Sequence, residues 1–229
     1  MSFDLTYLGG AAARLSTWID ASYPSDLPPE LVARRRIRKL VEEVGEAGAA
    51  LCGAVGENPR KGVTHTFDDV KGELLDVAVT ALGALEHLDG NRGGSGTGFA
   101  NRLLMNPLLA GYITLSGDLL NDVGLCAAEY SRTQDGLHHP DLHPELHLSY
   151  RFSDLVIALG AVERAVAVAS DLGRGINPTV ERTLENIAVV ALGVWEHLDG
   201  NRGRSGHALA EKLQFVLNRV GLTVEGAAS

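Results

Sequence analysis

Three observations predict an all-α protein. Apolar residues recur at helical spacing with no strand-like alternation, helix formers dominate between Pro-, Gly- and Asn-rich breaks, and the chain repeats itself. Residues 74–93 read LLDVAVTALGALEHLDGNRG and residues 184–203 read LENIAVVALGVWEHLDGNRG. At a constant offset of 110, about 18 of the 31 positions from Glu73/Thr183 to Leu103/Leu213 are identical, far above chance for a biased composition. The expectation is a tandem duplication, with one repeat over 1–107 and a second over 108–229. Each would supply four helices to a single pseudo-two-fold bundle, one set covering the apolar face of the other.

The elements follow in order. A first helix is expected near 4–21, ended by Pro24-Ser25-Asp26-Leu27-Pro28. A longer one runs from Pro29 to about Val55 and stops at Gly56-Glu57-Asn58-Pro59. The third lies near 68–88, closed by Asp89-Gly90, and a fourth follows Ser95. In the second copy the corresponding helices are expected near 108–130, 150–172, 179–198 and 206–220. Ser131–Ser149, with Pro140 and Pro144, reads as the longest loop.

Composition narrows the function classes. With 229 residues, 45% hydrophobic and 21% charged, the chain is an ordinary globular one rather than disordered or fibrous. Its net charge of −9, from 20 Lys+Arg against 29 Asp+Glu, is a poor footprint for nucleic acid or an anionic membrane. A small anionic substrate would need a metal or a local basic patch. The two cysteines, Cys52 and Cys126, lack zinc or disulfide spacing and read as small core residues in a reducing compartment. No basic n-region with an apolar stretch opens the chain, and no apolar run approaches the roughly 20 residues of a membrane helix, so the expected location is cytoplasmic.

The chemistry concentrates in the first copy. In LVEEVGEAGAAL, residues 40–51, Glu43 and Glu46 are three apart and share a helical face, flanked by Glu42. Alone this would read as a solvated charged face. The next helix holds Glu73 and Asp76, again three apart, in an otherwise apolar run from Leu74 to Leu85. A helix apolar nearly all round is buried, and a buried carboxylate is costly unless paired or bound to a metal. Oxygen-only ligands favour Mg²⁺, with Mn²⁺ as a substitute, and the lack of His or Cys within a turn argues against zinc.

Glu43-Val-Gly-Glu46, 26 intervening residues and Glu73-Leu-Leu-Asp76 resemble the pattern of the MazG-like, all-α nucleoside triphosphate pyrophosphohydrolase superfamily. The resemblance is close over residues 30 to 90 and reaches the second copy only through the repeat. It implies a Mg²⁺-dependent hydrolase that splits the α–β phosphate bond of a nucleotide into a monophosphate and pyrophosphate. It further implies that Glu43, Glu46, Glu73 and Asp76 bind the metal, with Glu42 a further ligand or the base that polarises water. The alternative is a MazG-like helical module that senses a nucleotide or scaffolds a partner without turnover. Whether pseudodimers associate further stays open.

The second copy lacks these groups. Glu73 and Asp76 become Thr183 and Asn186, and matching Leu155-Val156 to Leu40-Val41 puts Ile157, Ala158 and Ala161 at Glu42, Glu43 and Glu46. One active centre is expected. EHLDGNRG, at 86–93 and 196–203, persists where the carboxylates do not, so it reads as a helix C-cap and turn with His87 and His197 capping or in the core. Its functional alternative is a phosphate contact through Arg92 or Arg202. Other substrate-binding candidates are Lys39, which closes the basic run Arg34–Arg36 and Arg38, together with Lys61, Lys71 and Trp18. Trp18 is either a base-stacking platform or core. The run from His138 to His147 reads as a solvated connector.

Overall fold

A computed structural model describes residues 5–105, 118–137, 141–171 and 178–223. Among these residues there are eight helices and no strand: α1 Leu5–Ala21, α2 Pro29–Ala54, α3 Phe67–Leu88, α4 Ser95–Leu104, α5 Leu119–Asp135, α6 Pro144–Asp171, α7 Pro178–Leu198 and α8 Ser205–Arg219. None is long and apolar enough to cross a membrane.

Two helices buried nearly all round, α3 and α7, lie at the centre. From Val77 to Glu86 every residue of α3 except Thr80 is buried, and from Ile187 to Glu196 every residue of α7 is, so neither could face solvent on any side. They pack against each other; α1 and α2 cover α3, while α5 and α6 cover α7. The short helices cross between the halves, α4 lying on α5 and α7, and α8 on α1 and α3. One apolar cluster therefore includes Leu40 and Leu82 from the first half and Leu155 and Leu192 from the second.

Helix ends follow local chemistry. Thr66 opens α3 with a capping box: its hydroxyl accepts from the Asp69 N–H at 3.2 Å, and the Asp69 carboxylate accepts from the Thr66 N–H at 2.7 Å. Thr66→Ala is expected to cost about 1 kcal/mol in urea unfolding, because an orphan helix N–H loses its acceptor. The segment Ser131–Ser149 is not the long loop the prolines suggested. α5 continues to Asp135 and α6 begins at Pro144, where proline's fixed φ suits the first helical position; the His143 ring accepts from the Glu145 N–H at 3.3 Å. His138 to Pro140 and the start of the expected 108–130 helix, through Gly117, lie outside the described residues.

EHLDGNRG is a helix stop in both places. The Asn91 and Asn201 N–H groups each return to the carbonyl of Glu86 or Glu196 at 2.7 Å, with φ of 60° and 57° in the left-handed region. Glu86 and Glu196 are fully buried, each accepting from two backbone N–H groups of the turn: Gly93 and Ser95, or Gly203 and Ser205. His87 meets Asp20 at 2.9 Å and His197 meets Asp135 at 3.1 Å. Beneath each pair lies a buried guanidinium: Arg36 Nε is 3.9 Å from Asp20, and Arg151 Nε is 3.6 Å from Asp135. In both places the string closes one helix, and its buried glutamate holds the turn that leads into the next.

Candidate metal and nucleotide site

α2 and α3 pack side by side, and their seam brings Glu43 of α2 to Glu73 and Asp76 of α3. Carboxylate oxygens of Glu43, Glu73 and Asp76 come within 4.8 Å of one another. Among the described residues this is the one such grouping of His, Cys, Asp or Glu. Octahedral Mg²⁺ with oxygen ligands at about 2.0–2.1 Å separates opposite ligands by about 4.2 Å, so the three carboxylates suit one hard cation with small side-chain adjustments. Burial, then the Asp76 and Glu46 charges, lifts the Glu73 carboxyl above its ordinary range. For Glu43 burial again leads; Lys39 opposes it, and Asp76 and Glu46 add to it. A bound cation would answer this repulsion.

The fourth expected ligand, Glu46, is exposed and stands outside the grouping, close enough only to add its charge. Glu42 is exposed and held by Lys39 Nζ at 2.8 Å, which also reaches Glu43 at 3.0 Å. An unexpected group completes the arrangement. Lys212, on α8, places its ammonium 2.6 Å from Asp76 Oδ2. Nothing near the first-half motif could have pointed to it, because it arrives from 136 residues away through the packing of α8 on α3.

Beside Glu42, Glu43 and Asp76 opens a cavity of about 640 Å³, within the roughly 300–1,000 Å³ range of small-molecule sites. Its basic side carries Arg35, Arg38, Lys39 and Arg219; Trp18 and Tyr23 supply aromatic surface. Trp18 is 42% exposed, so it is not a core residue, and its ring is available to a ligand. Lys39 and Trp18 both line this cavity. The other candidates do not. Lys61 is exposed in the α2–α3 connection, and Arg92, 79% exposed, pairs with Asp89. Lys71 bridges Asp68 at 2.8 Å and Asp199 at 3.5 Å, with its ammonium 5.5 Å from the Trp195 ring centre. It fastens α3 to the second half rather than facing the cavity.

The cavity is lined by Leu15 and Gly83; beside Gly193, the Gly83 counterpart in the repeated string, the Tyr130 ring carbons lie 2.7 and 2.9 Å from where a Cβ would sit. That ring also lies against the Arg151 guanidinium at 5.6 Å. Space is left open on the side that carries the carboxylates. In the second half Thr183 turns its hydroxyl back to the Val180 carbonyl at 2.8 Å, and Ile157, in place of Glu42, is 70% exposed. Cys126 is buried as expected, but Cys52 is exposed, because its side of α2 faces an open groove towards α6. The chain matches no protein-family model, no curated protein and no solved structure.

Proposed function

We propose that this chain is a Mg²⁺-dependent nucleotide pyrophosphohydrolase of the MazG-like kind, built as a duplicated single-chain pseudodimer with one active centre. The observation that carries the reading is the meeting of Glu43, Glu73 and Asp76 at the rim of a cavity with cationic and aromatic walls. The carboxylates would hold the cation, which when bound neutralises and orients the polyphosphate and activates water. Arg35, Arg38, Lys39 and Arg219 supply positive charge for phosphate oxygens in a chain whose overall charge is −9. Trp18 offers a face on which a base can stack. Glu42, at the cavity edge and outside the three-carboxylate grouping, is placed to accept a proton from the attacking water.

The duplication is supported by recurring contacts. Arg36 and Arg151, Asp20 and Asp135, and Gly9 and Gly124 all relate by 115 residues and occupy matching surroundings. That offset also relates Leu40 to Leu155, so it places Ala158 and Ala161 opposite Glu43 and Glu46. A second-half centre would have no carboxylate at any of these positions.

A non-catalytic nucleotide sensor is favoured by one observation: Lys39 and Lys212 already neutralise Glu43 and Asp76 without a cation. The two readings separate in one assay. With Mg²⁺ and a panel of canonical, deoxy and modified nucleoside triphosphates, the enzyme releases pyrophosphate and the monophosphate from at least one. Binding without release from any of them would establish the sensor instead.

A further inference from the structure

We infer that Lys212 is a latch on the metal site, occupying Asp76 when no cation is bound and passing to the polyphosphate once the cation displaces it. The inference rests on the reading of Glu43, Glu73 and Asp76 as a cation site, and it gives the second half a direct part in that site.

The argument starts from charge. Asp76 meets Glu43 and Glu73 in one carboxylate grouping, where its charge and that of Glu46 bear on both, and α8 brings in Lys212 from the second half. The ammonium is 2.6 Å from Asp76 Oδ2, and Asp76 shares its grouping with Glu43 and Glu73. A cation coordinated by Asp76 competes for that same oxygen. Once displaced, Lys212 can neither remain against a metal nor retreat into an apolar core. Its side chain is 21% exposed, on a helix whose Val216 and Arg219 line the cavity, so a rotation of a flexible four-carbon stem carries it towards bound phosphate. Lys39 answers Glu43 from α2 at 3.0 Å, but it is tied equally to Glu42 and belongs to the same half.

The corresponding residue of the first half, Arg102, acts on Glu185 of α7, where no three-carboxylate grouping exists. A basic residue crossing between halves therefore belongs to the packing. Within the first half Lys39 meets Glu43, whereas among the described residues of the second half it is Lys212 that pairs with a member of the three-carboxylate grouping. A purely structural Lys212 would change melting temperature without changing cation affinity.

The test titrates the full chain with Mn²⁺ alone by calorimetry, and then titrates the Mn²⁺-loaded protein with inorganic pyrophosphate. Lys212→Met and Lys212→Gln are both expected to bind Mn²⁺ about five-fold more tightly, since no charge pair of roughly surface strength has to be broken. Both are expected to bind pyrophosphate at least five-fold more weakly. Lys212→Arg, which keeps the charge, stays within about twofold of the wild type on Mn²⁺. Unchanged or weaker Mn²⁺ binding by both neutral variants, or unchanged pyrophosphate binding, overturns the latch. Neither readout needs turnover, so a protein that hydrolyses no nucleotide can still carry the latch. If neither the wild type nor any variant takes up Mn²⁺, the cation-site reading and the latch fail together.

Discussion

Asp76→Asn is expected to lower pyrophosphate release at least a hundredfold with little change in the thermal melt. Replacing a carboxylate oxygen by an amide would remove one of the three charged groups proposed to hold the cation, and loss of a direct ligand should exceed the roughly 10–100-fold cost of losing an outer hydrogen-bond partner. The fold has reason to tolerate the change, because Asn186 occupies the equivalent position on α7. Asn186→Ala and Thr183→Ala provide the contrast, with rates within about twofold of the wild type, since neither residue belongs to the three-carboxylate grouping. Equal losses from Asp76→Asn and Asn186→Ala would eliminate the single-centre arrangement. Full activity in Asp76→Asn would remove Asp76 from the metal site.

Gly124→Ala should be strongly destabilising, by about 3 kcal/mol in urea or guanidinium unfolding. A Cβ there would stand 2.1 Å from the Gly203 carbonyl oxygen and 2.7 Å from its carbon. Both obstacles are backbone, so no rotamer change relieves them, and overpacking of this kind costs roughly 1–3 kcal/mol or more. α5 can approach the turn before α8 only because residue 124 has no side chain. Gly9 meets the Gly93 carbonyl oxygen in the same way, at 2.0 Å. Gly160, inside α6, is the internal control: nothing lies within 4 Å of its Cβ position. Gly160→Ala should therefore stabilise by about 0.5–1 kcal/mol through helix propensity. A loss below 1 kcal/mol in Gly124→Ala would mean that α5 does not lie this close to the turn.

How far these features can be read in the chain itself depends on the range of the interaction responsible. Helix ends are local, and the residues at them behave as their types require. Asp89-Gly90 closes α3, and Gly56 ends the run from Pro29, which stops at Ala54. The exception was Pro144, where the same residue that breaks a helix interior also opens a helix at its first turn; only the flanking conformation separates the two. The acidic motif was legible because i,i+3 spacing puts Glu43 with Glu46, and Glu73 with Asp76, whatever the rest of the chain does. That Glu46 stands apart while Glu43 joins the α3 pair depends on how α2 is rotated against α3, which is a packing outcome.

The substrate candidates show the same division. Lys39 and Trp18 reach the cavity, but Lys71 is drawn away by Asp68 and Asp199, and Arg92 by Asp89. All four looked equivalent as polar or aromatic residues near a motif. Arg219 and Lys212 were invisible, since each is more than a hundred residues from the carboxylates it approaches.

The amino-acid sequence by itself determined the all-helical class, the repeated EHLDGNRG stop and the confinement of the Glu-x-x-Glu and Glu-x-x-Asp pair to the first half. Each depends on spacings of a few residues, over which helix geometry is fixed. Tertiary structure alone decided that three carboxylates converge rather than four, that a cavity opens beside Glu42, Glu43 and Asp76, and that Lys212 of the second half pairs with Asp76 of the first. These follow from which helix faces meet across the bundle, and that choice is made by burying one shared apolar core rather than by any local pattern.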